Sequence, residues 1–241
     1  MVDYSKEILS KLGYSGNKEA SKKNISASMI SGEPQQAFMR YKYGVEPEDS
    51  FSQASFGSLV HLGLEQVFKD KKNILCEEAL SYEFEGWNIS GTIDRLDLSN
   101  NVITDIKTTK TYSIANVKKD MNHQYRWQLN TYRWLVHKVT DRDCSMQLEF
   151  YDKQGGMDFR KGIEVPTLSY LDIDLIADEL IEEKIREIIL YIENGVENQC
   201  KELWFRKVNG VNIPMRCEAY CSYKGKCTQY SPKDTTTMSM W

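Results

Sequence analysis

The stretch Gly91-Thr92-Ile93-Asp94-Arg95-Leu96-Asp97, followed after Ser99-Asn100-Asn101 by Ile103-Thr104-Asp105-Ile106-Lys107-Thr108-Thr109, constrains this chain more than any other. Both runs are rich in β-branched and apolar residues, and a turn-forming triplet separates them, so they read as neighbouring strands. Alternate residues of a strand project to one face. Asp105 and Lys107 therefore emerge together, and Asp94 can meet them from the adjacent strand. Asp97 points the other way if the strand is regular, which argues against it as a ligand. Two carboxylates that converge on one point bind a hard divalent cation such as Mg²⁺ or Mn²⁺. A lysine beside them can orient a water or steady developing negative charge. D-x-K alone is a common chance spacing; what weighs against chance is that both acids lie in or beside strongly strand-like segments.

Around this pair the chain alternates helical and extended patterns. Ser26 or Ser28 offers an N-cap for a helix that ends at Gly44. Residues 53–69 read as a helix, with Phe56, Leu59, Val60, Gly63, Leu64 and Val67 at helical spacing and His61 one turn from Glu65. Strands are expected over 74–83, 87–98 and 102–107, the first two joined at Glu85-Gly86. Residues 122–139 should be helical, 144–151 and 162–165 extended, and 168–198 a long acidic helix. That order makes an α/β sheet with helices packed against it.

The 241 residues suit one domain or one domain with appendages. Residues 1–24 read as a flexible polar arm, 25–200 as the main domain and 201–241 as a cysteine-containing segment packed on it. The net charge of −4 leaves no global basic footprint for nucleic acid. The distribution is uneven: 105–138 holds seven Lys/Arg against two Asp, and 167–200 nine Asp/Glu against two Lys/Arg. A local basic segment beside the paired acids is what phosphate contact needs. No apolar run approaches a membrane span, and the N-terminus lacks the apolar core of a signal peptide. A cytoplasmic protein with no membrane partner is expected.

With Gln128-x-x-x-Tyr132 and the upstream Gly57-x-x-x-His61, these strands form four motifs in one order. In that order the sequence resembles the RecB-type branch of the PD-(D/E)XK nuclease superfamily. The resemblance implies a restriction-endonuclease-like mixed sheet flanked by helices. It implies a metal site made by His61, Asp94, Asp105 and the backbone carbonyl of Ile106. Lys107 is then the water-orienting or charge-stabilising group, and Gln128 and Tyr132, four apart on one helix face, hydrogen-bond Lys107, a phosphate or a base edge. Some such nucleases add a carboxylate from the preceding strand, but nothing local singles out Glu77 from Glu78 or Glu83, and all three are expected at the surface.

Six cysteines are present, three of them as Cys217-x3-Cys221-x5-Cys227. In a cytoplasmic chain this reads as metal binding before disulfides. The triplet resembles that of CRISPR-adaptation and AddB-type relatives, which hold a [4Fe–4S] cluster with a fourth cysteine near the N-terminus. Here Glu33-Pro34 stands where those relatives have Cys-Pro, so Cys200 is the nearest fourth ligand and Cys76 a remoter one. A four-ligand zinc site and free thiols are the alternatives.

The expectation is a metal-dependent DNA exonuclease of recombination, repair or replication, of a kind frequent in phages and bacteria. By the resemblance it leaves 5′-phosphate ends. Its partners would be linear DNA ends or single strands and a single-strand annealing or binding protein. A structure-specific or restriction-type endonuclease and a catalytically silent DNA-binding subunit are the rival readings.

Overall fold

The computed structural model describes residues 23–44, 51–120, 123–195, 200, 205–208 and 211–228. Its centre is a six-stranded mixed sheet in which β3 (Trp87–Asp97) is followed by β4 (Val102–Thr109), β5 (Ser145–Asp152) and β8 (Leu168–Asp172). β2 (Ile74–Phe84) lies antiparallel along one edge of β3, joined by a two-residue turn at Glu85-Gly86. Both turn residues have positive φ, 50° and 76°. That geometry matches the twist of the flanking strands, and it fixes the hairpin register from Phe84–Trp87 onward. β4 and β5 run parallel. Their crossover is made by α4 (Thr111–Lys119) and α5 (Gln124–Thr140), as a parallel pair requires.

α5 divides the core. Leu129, Tyr132 and Val136 pack with Ile93, Ile103, Leu148 and Phe150. Trp134 and Leu135 pack with Ile89, Trp87 and the inner face of α6 (Asp178–Asn194), whose Ile181, Ile185 and Ile188 recur at helical spacing. Near the N-terminal end come β1 (Asn24–Ser26), a single turn α1 (Ala27–Ile30) and α2 (Pro34–Tyr43). Of the expected arm, residues 1–22 lie outside the described residues, and Asn24 opens β1. Ser26 precedes α1, but its hydroxyl bonds Ser28 Oγ rather than capping the helix. α2 starts instead with Pro34 at its first position, where a missing N–H is harmless and φ is already helical. α3 (Phe51–Phe68) forms as expected. Phe56, Leu59 and Val67, read as part of its core stripe, are exposed.

Two segments differ from the sequence reading. The long helix over 168–198 is a strand, β8, followed by α6, which ends at left-handed Gly195. Residues 168–172 alternate exposed and covered, and they pair with β5; an adjoining strand decides such a segment more than local propensity does. α4 was not anticipated, though Thr111, Ile114 and Val117, all buried, recur every third residue. The extended segment expected over 162–165 is two residues, β7 (Ile163–Glu164), paired with β6 (Met157–Asp158). A separate hairpin joins β9 (Phe205–Val208) to β10 (Val211–Pro214) and leads into a π-helical turn at Arg216–Tyr220. Among the described residues no helix is long and apolar enough to cross a membrane.

Candidate active site

The site forms where the sheet forks. The edge of β3 away from β2 is shared by two strands: β1 pairs with residues 88–90 and β4 with residues 95–97. Between those two pairings β4 leaves β3, and the Asp94 carboxylate bridges the opening. The Ile106 N–H donates to Asp94 Oδ2 at 2.6 Å. On the other side the ladder pairs Cys76 with Arg95 and Glu78 with Ile93, and passes over Glu77 and Asp94, which stand opposite each other. Glu77 has φ 52°, a conformation that side chains other than glycine rarely adopt. Ile93 and Leu96 both join one core cluster although three residues apart, so the regular alternation of β3 is interrupted at Asp94.

α3 brings His61 to this opening. Its Nδ1 lies 3.1 Å from Glu77 Oε1 and 3.7 Å from Asp94 Oδ1, and its Nε2 lies 3.2 Å from the Ile106 carbonyl oxygen. Carboxylate and carbonyl only accept, so both ring nitrogens donate and the imidazole is protonated. The pKa agrees: burial lowers it, but the Glu77 hydrogen bond and the charges of Asp94 and Glu77 outweigh burial and raise it to about 8. The upstream motif's glycine has a steric reason. A Cβ on Gly57 would stand 3.3 Å from Thr108 Oγ1, so the bare backbone lets α3 approach β4 closely.

Asp105 is almost fully buried. Lys107 Nζ donates to its Oδ1 at 3.0 Å and to Gln128 Oε1 at 3.3 Å, and it lies 4.9 Å from the centre of the Tyr125 ring. Gln128 Nε2 donates to Tyr132 Oη at 2.7 Å. The α5 motif thus acts through Lys107, with Tyr132 setting which way the Gln128 amide turns. Gly91 makes room for this: a Cβ there would fall 2.7 Å from Tyr132 Cε1. Burial first, then the charge of Asp105, pushes Asp94 up to about 7. Burial opposes the charge on Lys107, but Asp105 and Asp94 together hold its pKa above the ordinary value. Tyr132 is raised by burial first and by Asp105 and Asp94 next, so it stays a neutral phenol.

Among the described residues, His61, Glu77 and Asp94 form the one group of three candidate ligands whose donor atoms all lie within 4.8 Å of one another. Asp105, expected as a ligand, is not in that group: its carboxylate straddles Lys107 Nζ, with Oδ1 at 3.0 Å and Oδ2 at 2.8 Å, and its charge bears on Asp94. One imidazole, several carboxylates and a carbonyl form a donor set suited to a hard or borderline divalent cation. Glu77 is exposed, as the sequence reading expects, and its carboxylate nonetheless joins this group. The signal that finds it is the turn: a two-residue loop at Glu85-Gly86 fixes the register that sets Glu77 opposite Asp94. Asp97 instead accepts from Ser99 N, Asn100 N and Asn100 Nδ2, closing the turn after β3.

The basic segment 105–138 does not form a continuous phosphate-facing surface. Arg126 pairs with Asp174 at 3.5 Å, Arg133 pairs with Asp178, and Lys138 pairs with Glu182 at 3.1 Å. Three of the seven cations thus meet the acids in and just before α6, while Lys110, Lys118 and Lys119 are exposed.

The C-terminal segment docks on α2, with Tyr223 Oη donating to the Gly44 carbonyl at 2.8 Å and Lys226 over the Tyr43 ring. Cys200, Cys217, Cys221 and Cys227 form no disulfide, and all are partly exposed. Burial, then the charge of Glu33, raises Cys200 to about 12, with Cys217 and Cys221 adding to it. Cys217 is raised by burial and then by Cys221 and Cys227. The four thiols thus lie within reach of one another's charge, and Cys200 stands near Glu33. No three of them gather to the 4.8 Å spacing of the His61 group.

Residues 71–228 match the family described as the PD-(D/E)XK nuclease superfamily, a span that begins after His61. No curated protein matches the sequence. The solved structure of SSO0001 superposes with a TM-score of 0.63 at 19% identity, covering 96% of this chain and 99% of that one. A phage related exonuclease from Haemophilus somnus 129PT gives 0.45 at 16% identity, over 71% of this chain and 92% of its own. An alkaline exonuclease from Laribacter hongkongensis gives 0.44 at 14%, over 71% and 87%.

Proposed function

The chain belongs to the PD-(D/E)XK nuclease superfamily, and we propose that within it the protein works as a metal-dependent deoxyribonuclease of exonuclease type. The observation that carries the reading is the meeting of Asp94, Asp105 and Lys107 at the fork, where two carboxylates share one lysine and Asp105 is almost fully buried. The RecB-type order of motifs favours attack from DNA ends.

Glu77, Asp94, Asp105, the Ile106 carbonyl and, once deprotonated, His61 would hold Mg²⁺ or Mn²⁺. Bound there, the ion supplies Lewis acidity toward a phosphate oxygen and toward water. Lys107 remains a cation, so it donates to phosphate oxygens as their negative charge builds in the transition state. Its direction is fixed beforehand by Asp105 and Gln128, which removes reorganisation from the chemical step. The Asp94 carboxylate is itself held by the Ile106 amide, and the buried position of Asp105 keeps water from screening it.

We also propose that Cys200, Cys217, Cys221 and Cys227 hold an iron–sulfur cluster, with zinc as the alternative: four cysteines are the usual ligand set of a cluster, and Cys200 and Cys217 each feel the charge of neighbouring thiols. Cys221→Ser should lower both iron content and melting temperature; unchanged values in both would point to free thiols.

The test of the main reading is an end-labelled linear duplex beside a covalently closed circle, each with Mg²⁺ or Mn²⁺. Progressive loss from the ends with the circle intact is the expected result. Cutting of the circle would make the protein an endonuclease. Tight DNA binding without cleavage under either metal would make it a silent binding subunit.

A further inference from the structure

A groove of about 880 Å³ opens beside the fork, between β1, α1 and α2 on one side and the β2–β3 hairpin on the other. That volume is at the upper end of ligand-sized sites. It shares Gln128 and Tyr132 with the candidate active site, and its floor includes Gly91 and Thr92, just before Asp94. A smaller opening of about 410 Å³, lined by His61 and Glu77, lies on the other flank of the same cluster. The large groove thus adjoins the reacting centre, and apart from Gly91, Gln128 and Tyr132 the residues that line it have no part in the chemistry described so far.

Its walls are unlike the rest of the surface. In a chain with 35 acidic residues and a net charge of −4, no carboxylate among the described residues lines this groove. It presents the hydroxyls of Ser26, Ser28, Ser90 and Thr92 and one guanidinium, Arg40. Arg40 Nη1 donates to Ser28 Oγ at 3.2 Å. Among the described residues no carboxylate pairs with Arg40, whereas Arg95, Arg126, Arg133 and Arg186 each have an acidic partner. A guanidinium among neutral hydroxyl donors, with no acid to compete, is suited to a phosphate with more phosphates following it. A basic residue in the last turn of α2 also complements that helix's own dipole, which alone would explain Arg40. That account leaves the acid-free walls and the shared Gln128 unexplained.

We propose that this groove holds the sugar–phosphate backbone of a single DNA strand running into the active site, and that Arg40 contacts a phosphate away from the bond that is cut. The inference rests on the nuclease reading and adds to it a positioning residue, Arg40, that lies outside the four sequence motifs and holds the strand beside β1. Hydroxyl and guanidinium contacts to the backbone position a strand without reading its sequence, so the groove accepts any base order.

The test uses the full-length protein and a fluorescein-labelled 20-nucleotide oligodeoxynucleotide. Binding is followed by anisotropy in EDTA over a range of salt, and cleavage is followed separately with Mn²⁺. Arg40→Gln should weaken binding about tenfold and flatten the slope of log K against log salt by roughly 0.7, as expected when one phosphate contact is lost. KM should rise with kcat nearly unchanged, and Arg40→Lys should restore most of the affinity and the slope. Thr92→Glu, at an exposed position of the floor, should weaken binding by repulsion even if Arg40→Gln proves unstable. Wild-type affinity and slope in both Arg40→Gln and Thr92→Glu, with wild type cleaving, would overturn the groove and leave the nuclease reading standing. Wild type that neither binds nor cleaves with any metal would remove both.

Discussion

Two buried ion pairs stand on neighbouring strands of one sheet, and they are built to opposite ends. In the first, Arg95 Nη2 donates to Glu149 Oε2 at 2.5 Å and to Thr104 Oγ1, while Tyr151 Oη donates to Glu149 Oε1 at 2.6 Å. Both carboxylate oxygens are occupied, and the guanidinium also lies over the Phe68 ring at the end of α3. In the second, both oxygens of Asp105 share the single ammonium of Lys107, at 3.0 and 2.8 Å, and Asp94 presses a second negative charge on the pair, which leaves it short of positive charge. A completed pair holds structure together. An incomplete one stores an unmet demand for positive charge, and a divalent cation is what meets it.

The largest difference should appear in stability. Glu149→Ala leaves Arg95 buried without its partner and should destabilise the fold by about 3–5 kcal/mol in urea or thermal unfolding. Asp105→Asn should change the melting temperature less, because losing the Lys107 pair is offset by removing the negative charge that Asp105 presses on Asp94. Equal losses in the two variants would erase the distinction. Next in size is Gly91→Ala. The added methyl meets the Tyr132 ring, turns Gln128 and misplaces Lys107, so kcat should fall on the order of tenfold to a hundredfold with folding retained. Unchanged kcat would mean that Lys107 does not depend on that chain of contacts.

The Asp105 side of this comparison was legible in the sequence, and the Glu149 side was not. Asp94, Asp105 and Lys107 follow from strand periodicity, and Gly57 and His61 from the resemblance of their motif to the family's. Glu77 was hidden because its role depends on a hairpin register and on a left-handed backbone at its own position. Glu149 and Arg95 lie 54 residues apart and meet only because β5 is placed beside β4 by a parallel crossover. The same limit explains the misread charge segments. Arg126 and Arg133 look like phosphate contacts until α6 and its approach bring Asp178 and Asp174 against them. Asn130, in the middle of the recognised α5 motif, is likewise structural. Its amide bonds the Asp174 carbonyl and the Ile176 N–H, holding the link from β8 to α6. Asn130→Ala should destabilise by about 2 kcal/mol, since buried backbone groups would be left unpaired, and leave cleavage per folded molecule unchanged.

The smallest effect is the pH dependence of the metal-free protein. Asp94 is raised to about 7 and His61 to about 8, so the folded form binds both protons more tightly than the unfolded chain. Their contribution to stability is complete at low pH. It declines as pH rises through about 7 for Asp94 and about 8 for His61. A cation must displace those protons, so the melting-temperature increase produced by Mn²⁺ should grow between pH 6 and 8.5. A Mn²⁺ effect independent of pH would place the ion elsewhere.

The most direct measurement compares cleavage of an end-labelled duplex in Mn²⁺ by wild type, Asp105→Asn and Glu149→Gln, at equal concentrations of folded protein. The incomplete pair as the reacting centre predicts that Asp105→Asn loses on the order of a thousandfold or more in rate while Glu149→Gln stays near wild type. Cleavage by Asp105→Asn at the wild-type rate, or an equal loss in both variants, would contradict it.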